Sequence, residues 1–335
     1  MVSYKTVAGP HTDEGNSSAQ LMYLVILALL PATLFGIYQF GLSAAMILLV
    51  SCATAFIAEQ VMLLLRKGGV RNVLDGSALL TGWILAMSLP PATPWWIVAL
   101  GAIFAMTLGK HAYGGLGNNL FNPAMLARVF LLICFPVEMT DWAMTSTPEL
   151  IEGQLQFSDA WLGEGTIDAI TAATPLSGHV NPNEVLPMWQ LFLGKHAGSW
   201  GETSALLLLL GGLFLIWKKV ITWVLPSAVI LGVFIPAACL HLYDPALYLS
   251  SSVHVLSGAT LFTAFFIATD MVTSPVSAKG QWIFGLGCGL LICLIRSFGI
   301  YPEGAAFSVL IMNATTPLID HYLRPAIFGS KAAKA

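Results

Sequence analysis

Apolar residues in this chain come in long unbroken runs, not in the alternation of a half-buried strand or the one-sided stripe of an amphipathic helix. Ten runs stand out, at roughly 21–40, 42–65, 73–90, 94–109, 123–138, 203–217, 220–240, 252–270, 281–296 and 304–320. A hydrocarbon core about 30 Å thick needs roughly 20 apolar residues per helix. Shorter runs also serve where Pro and Gly break a helix inside the protein, because neighbouring elements then cover the freed backbone groups. The pattern predicts an all-α integral membrane protein of about ten transmembrane helices. It divides into an N-terminal segment 1–20, a first five-helix half 21–138, a connection 139–203, a second five-helix half 204–320 and a tail 321–335.

The two halves share a faint repeat. Gly76-Ser77-Ala78-Leu79-Leu80-Thr81-Gly82, running to Pro90, Pro91 and Pro94, resembles Ser257-Gly258-Ala259-Thr260-Leu261-Phe262-Thr263, running to Pro275. Tyr113-Gly114-Gly115 before Asn122-Pro123 echoes Tyr301-Pro302-Glu303-Gly304 before Asn313 and Pro317. Five spans is an odd number, so the halves are expected to be inverted relative to each other, with a site at their interface near the midplane.

Composition removes the soluble classes. With 57% hydrophobic and 9% charged residues and a mean hydropathy of +0.79, the chain carries more apolar surface than a soluble core can hide. Its polar start leads into a full-length span rather than a short one with a cleavage site, so no removable signal peptide is expected. The five cysteines, Cys52, Cys134, Cys239, Cys288 and Cys293, lie in apolar runs with no C-x-x-C spacing. Metal, iron–sulfur and disulfide roles are therefore not expected of this chain. No nucleotide-binding fingerprint is present, and nothing suggests a nucleic-acid partner.

Positive charge orients the spans, because cytoplasmic loops retain Lys and Arg. With the N-terminus inside, Lys5, Arg66, Lys67, Arg71, Lys110, Lys218, Lys219, Lys279, Arg324, Lys331 and Lys334 fall on the inner side. Only Lys195 and Arg296 fall outside, and Arg128 lies within a span. The connection 139–203 is then external, and it holds Asp141, Glu149, Glu152, Asp159, Glu164, Asp168, Glu184 and Glu202.

Two segments could carry chemistry. The first is Asp168-Ala169-Ile170-Thr171-Ala172-Ala173-Thr174-Pro175-Leu176. Thr174 could simply cap a turn before Pro175. It could also accept a flavin phosphate, because small neighbours admit a transferase, Pro175 disfavours helix around the acceptor, and Asp168 stands upstream. A second Ser-Gly-Ala-Thr ends at Thr260, but it has His254 in place of the upstream acid and sits inside the eighth span. It reads as helix-packing small residues. The second segment runs from Lys110 to Pro123 and includes Gly114, Gly115, Gly117, Asn118, Asn119 and Asn122. Glycine admits close approach of a planar ligand, and asparagine offers donor and acceptor to a polar ring edge. A re-entrant turn whose asparagines satisfy broken backbone is the simpler alternative. Among ionisable residues within or bounding the spans, Glu59 is expected to snorkel or pair toward Arg66 and Lys67.

With these motifs in order, the sequence resembles the D subunit of the Rnf complex, the ion-translocating ferredoxin:NAD oxidoreductase that is also called an electron transport complex. That family is similar in turn to the B subunit of the sodium-translocating NADH:quinone oxidoreductase. The resemblance rests on Thr81-Gly82 through Leu89-Pro90-Pro91-Ala92-Thr93-Pro94-Trp95, on Gly109-Lys110 through Asn122-Pro123-Ala124, on Asp168 to Leu176, on Leu191 to Ser204, and on Ala268-Thr269-Asp270-Met271-Val272-Thr273-Ser274-Pro275. It implies FMN in phosphoester linkage to Thr174 within the Asp168 motif, attached by a flavin transferase. It also implies a noncovalent riboflavin, for which the residues suggest Gly114, Gly115, Asn119 and Asn122. The implied partners are the A, B, C, E and G subunits and membrane lipid. The implied place is the bacterial inner membrane, multi-pass, with 139–203 periplasmic. The implied role is that of one component of a redox-driven translocase, not active alone. The short N-terminal segment and Ala-Thr-Pro-Leu favour the Rnf member over its quinone-reducing cousin. An inverted-repeat channel or transporter, and a plain structural scaffold, are the rival classes.

Overall fold

A computed structural model describes residues 17–66, 75–140, 150–151, 154–155, 187–194, 198–202, 204–245, 247–299, 301 and 303–324. Asp168 and Thr174 lie outside the described residues.

Helix boundaries follow local chemistry. α1 (Ser18–Phe40) opens on a capping box: the Ser17 hydroxyl accepts from the Gln20 backbone N–H while the Gln20 side chain accepts from the Ser17 N–H. Gly41, at φ 72°, turns the chain into α2 (Leu42–Leu65). α3 (Ser77–Ser88) follows Gly76, and α4 (Trp95–Phe104) continues into a π-helical segment, Ala105–His111. α5 (Pro123–Cys134) and the short α6 (Pro136–Thr140) complete the first half. A two-residue antiparallel pairing, Leu150–Ile151 with Gln154–Leu155, and α7 (Met188–Leu193) fall within the connection. The second half comprises α8 (Ala205–Trp217), α9 (Val224–Tyr243), α10 (Ser251–Leu256), α11 (Thr260–Phe262) with a π-helical segment Thr263–Ile267, α12 (Ala278–Phe298) and α13 (Ala305–Tyr322).

Among the described residues, nine of the ten expected spans are helical along most of their length, but the eighth is not one rod. Ser257-Gly258-Ala259 interrupts it between α10 and α11, with Gly258 at φ 64°. Uniform hydropathy hid that break, since small apolar residues score alike in helix and turn. Of the described helices, α1, α2, α9 and α12 are long and apolar enough to cross a membrane by length and composition, and α3, α4, α5 and α8 are shorter apolar helices. The molecule is an all-α membrane protein. Large side chains such as Leu34, Leu49, Ile57, Leu210 and Leu213 remain exposed on its flanks, as expected where the surrounding solvent is hydrocarbon.

Because lipid tails are as apolar as leucine, helices here associate through close packing rather than hydrophobic exclusion. α9 and α12 meet backbone to backbone: a Cβ on Gly289 would stand 2.4 Å from the Val229 carbonyl oxygen, and one on Gly232 would stand 2.7 Å from that of Leu286. α3 meets α2 similarly, with Ser51 Oγ donating to the Gly82 carbonyl at 2.7 Å. One packing plan occurs twice. α2 packs against α3 and α4 as α9 packs against α10, α11 and α12, while α1 touches α8 and α5 touches α13. Those last two pairs are the like-to-like contacts that a twofold between the halves requires.

Candidate functional site

The two halves line a cavity that is open at its mouth. Its walls are the first turns of α1 (Leu21, Met22, Val25), the start of α3 (Ser77, Leu80, Thr81), Lys110, the turn carrying Asn119 and Asn122, the end of α8, and the stretch Phe265 to Val272. Both π-helical segments reach it, one with Lys110 and the other with Phe265 and Phe266. A π segment widens the helix by a residue and re-aims the side chains beyond it, which is why such segments recur at functional sites.

Each polar group on the wall is held from behind. Asn122 caps α5: its Oδ1 accepts from the Ala124 and Met125 backbone N–H groups at 3.1 and 3.3 Å, and its Nδ2 donates to the Ile267 carbonyl at 3.5 Å. That last bond joins the halves. Asn119 Nδ2 donates to the Phe121 carbonyl at 3.2 Å. Asp270 sits in a tight turn, accepting from Val272 N–H at 3.3 Å and from Thr273 Oγ1 at 3.1 Å.

Beneath the wall lies a buried ionic chain. Lys110 is 3% exposed, and its Nζ donates to Glu59 Oε1 and, at 2.6 Å, to Ser77 Oγ. Ser77 Oγ in turn donates to Asp75 Oδ1 at 2.6 Å. His111 Nε2 stands 3.8 Å from Glu59 Oε1. Lys67 lies outside the described residues, and among those described Glu59 therefore pairs with Lys110 rather than snorkelling to Arg66. Its partner is a lysine more than fifty positions away, brought over α2 by the π segment, because a carboxylate 3% exposed needs a charge inside the protein rather than at the interface.

The expected site residues separate. Asn119 and Asn122 come to one cavity, though not through a shared helical face, since α5 begins only at Pro123 with Asn122 as its N-cap. Gly114 and Gly115, at φ 128° and 100°, form the approach turn and are not among the lining residues. Thr260 is completely buried, donates to the His254 carbonyl at 2.8 Å and accepts from Arg296 at 2.8 Å, so it is no exposed acceptor. Ser77, Thr81, Thr269 and Asp270 are wall residues that sequence reasoning did not single out as a site. The repeat around Gly76 and the stretch from Ala268 to Pro275 were the available signals.

The chain matches the NQR2, RnfD, RnfE family model over residues 5–329. A protein of Halorhodospira halophila, described as the D subunit of an ion-translocating oxidoreductase complex, is 45% identical over 339 residues, covering 96% of this chain and 95% of that one. Proteins bearing the same description from Stutzerimonas stutzeri, at 45% identity with 95% and 94% covered, and from Salmonella paratyphi A, at 41% with 98% and 99% covered, are also similar.

Proposed function

This chain belongs to the NQR2, RnfD, RnfE family, and on that premise we propose that it is the flavin-carrying membrane subunit of an ion-translocating electron transport complex of the ferredoxin:NAD oxidoreductase type. It is a multi-pass protein of the bacterial inner membrane. Its partners are the A, B, C, E and G subunits, and its segment 139–203 faces the periplasm. One flavin, FMN, is attached through phosphate to Thr174 of the Asp168-led motif by a flavin transferase. A second, riboflavin, is held without a covalent bond.

The observation that supports the second flavin is the cavity wall: neutral polar groups of Asn119, Asn122, Ser77, Thr81 and Thr269 beside the rings of Phe265 and Phe266. An uncharged flavin needs amide donors and acceptors for its ring edge, hydroxyl partners for its ribityl chain and an apolar face for its rings. A phosphate would require free cations, and the wall's lysine is committed to Glu59. Bound there, the flavin supplies the electron transfer. The chain's own residues do the rest. Asn119 and Asn122 orient the ligand, and Phe265 and Phe266 exclude water. Moving one charge through 100 mV involves about 2.3 kcal/mol, so electron steps across the bilayer can drive ion movement.

Mass spectrometry of the intact chain tests this reading, together with analysis of flavin released by acid. The expected result is one FMN phosphoester mapping to Thr174 and lost in Thr174→Ala, with riboflavin in the acid extract. A flavin phosphate on another residue, or an extract without riboflavin, would overturn the corresponding half.

A further inference from the structure

A second polar cluster stands at the far end of the same helices. The first turns of α1 and the end of α8 line the cavity. Trp200, by contrast, lies against Gly36 late in α1, and Glu202 precedes the start of α8. The thirteen residues of α8 place the cluster and the cavity roughly 20 Å apart along its axis.

Four charged side chains converge there from four elements of both halves. Arg128 of α5 donates through Nη2 to Glu303 Oε2 at 2.5 Å. Arg296, in the last turn of α12, donates through Nη1 to the His254 carbonyl at 2.7 Å and to Thr260 Oγ1 at 2.8 Å. Its direct bonds thus go to neutral oxygens. Glu202 is 2% exposed, and Glu303 is the carboxylate that acts on it there, alongside Arg128 and Arg296. Neither oxygen of Glu202 meets a donor among the described residues. Arg128 Nη1, Arg296 Nε and Nη2, and His254 Nδ1 are also without partners among them.

An ionised carboxylate only accepts. Two ionised carboxylates in buried contact therefore repel and leave oxygens unsatisfied, whereas one proton between them turns the same contact into a hydrogen bond. We propose that Glu202 and Glu303 together bind one exchangeable proton, shared across their contact, at the end of the bundle remote from the cavity. On release, Glu202 passes from carboxylic acid to carboxylate and the proton leaves to water. Glu303, its side chain 9% exposed, is the more accessible of the two carboxyls, and the unpartnered N–H groups of Arg128 and Arg296 are buried beside them. The charge binding the two halves changes by one with each proton.

The asymmetry of the pair agrees with this. Burial pushes the Glu202 carboxyl well up, and Glu303 beside it adds to that, against the opposing pull of Arg128 and Arg296. Burial acts on Glu303 as well, but the Arg128 guanidinium, the bond from Glu202 and Arg296 outweigh it and hold Glu303 below the usual carboxylate range. Glu303, bonded to Arg128, holds the charge, and Glu202, whose oxygens meet no donor among the described residues, holds the proton. His254 and Cys293 are the other titratable groups that face Arg296.

Infrared difference spectroscopy of the full chain in lipid nanodiscs, taken across a pH titration, reads the proton directly. A carboxylic C=O band that shifts in D2O should be present in the parent protein and absent in Glu202→Gln. Glu202→Asp, which draws the carboxyl back, should keep the band but move it. Thermal stability should fall as pH rises through the raised value of Glu202, because the folded state holds a proton that the unfolded chain has already lost. Glu202→Gln should be flat over that range and no less stable than the parent at its upper end, since the amide donates permanently to Glu303. No protonated band in the parent, a band that survives Glu202→Gln, or a Glu202→Gln protein that does not accumulate would each overturn the proposal.

Discussion

Lys110 and Glu59 show how one buried charge decides the fate of another. Each is buried, and their bond joins α2 to the π segment after α4. Lys110→Met leaves the carboxylate without its partner, so it should lower stability by about 3–5 kcal/mol. Adding Glu59→Gln to Lys110→Met should recover much of that loss, because removing both charges costs far less than stranding one. Thermal unfolding in detergent checks both, and equal melting temperatures for the single and double variants would contradict the pairing. At the cavity wall, Asn119→Leu removes a polar group without touching a helix cap. It should abolish acid-extractable riboflavin while the flavin on Thr174 stays, and full retention would move the site elsewhere.

Elements are held here by close approach and by caps. Asn122 closes the N-terminus of α5 with two backbone bonds, so Asn122→Ala should cost about 1 kcal/mol through the cap alone, in addition to any lost flavin. Comparing its melting temperature with that of Asn119→Leu separates the two roles, because Asn122 loses two cap bonds and Asn119 only its bond to the Phe121 carbonyl when no flavin is bound. Between α9 and α12, Gly289→Ala forces a methyl group onto the Val229 carbonyl at 2.4 Å. Overpacking of that kind costs about 1–3 kcal/mol. A melting temperature unchanged from the parent would show that the two backbones do not meet there. The turn Gly114-Gly115-Leu116-Gly117 holds three positive φ values, which explains its glycines through backbone conformation rather than through contact with a ligand.

Across the whole molecule, the asymmetry of Lys and Arg orders the bilayer sides. A cysteine at position 159 should react with an impermeant label from outside only, and one at position 66 from inside only; the reverse pattern would invert the topology. The number and positions of the helical runs were legible in the sequence, because membrane-length hydropathy is a local property that needs no knowledge of neighbours. So were the Asn119 and Asn122 turn and the family itself, through motifs in fixed order. Three things were not legible. The break at Ser257-Gly258-Ala259 was hidden because a small-residue turn and a small-residue helix have the same hydropathy. The partner of Glu59 was misjudged, since Arg66 and Lys67 are near in sequence while Lys110 is near only once α4 has packed against α2 and its π segment has rotated the side chain inward. The cluster of Arg128, Glu202, Arg296 and Glu303 was scattered over more than 170 positions, with Arg128 read within a span, Glu202 among the external acids, Arg296 as an outer-side charge and Glu303 as part of the faint repeat. Hydropathy and motif order act along the chain, and those the sequence determined by itself. Which buried charge meets which is a matter of distances between elements, and in a low-dielectric interior, where pairing governs what burial costs, only the tertiary structure decided it.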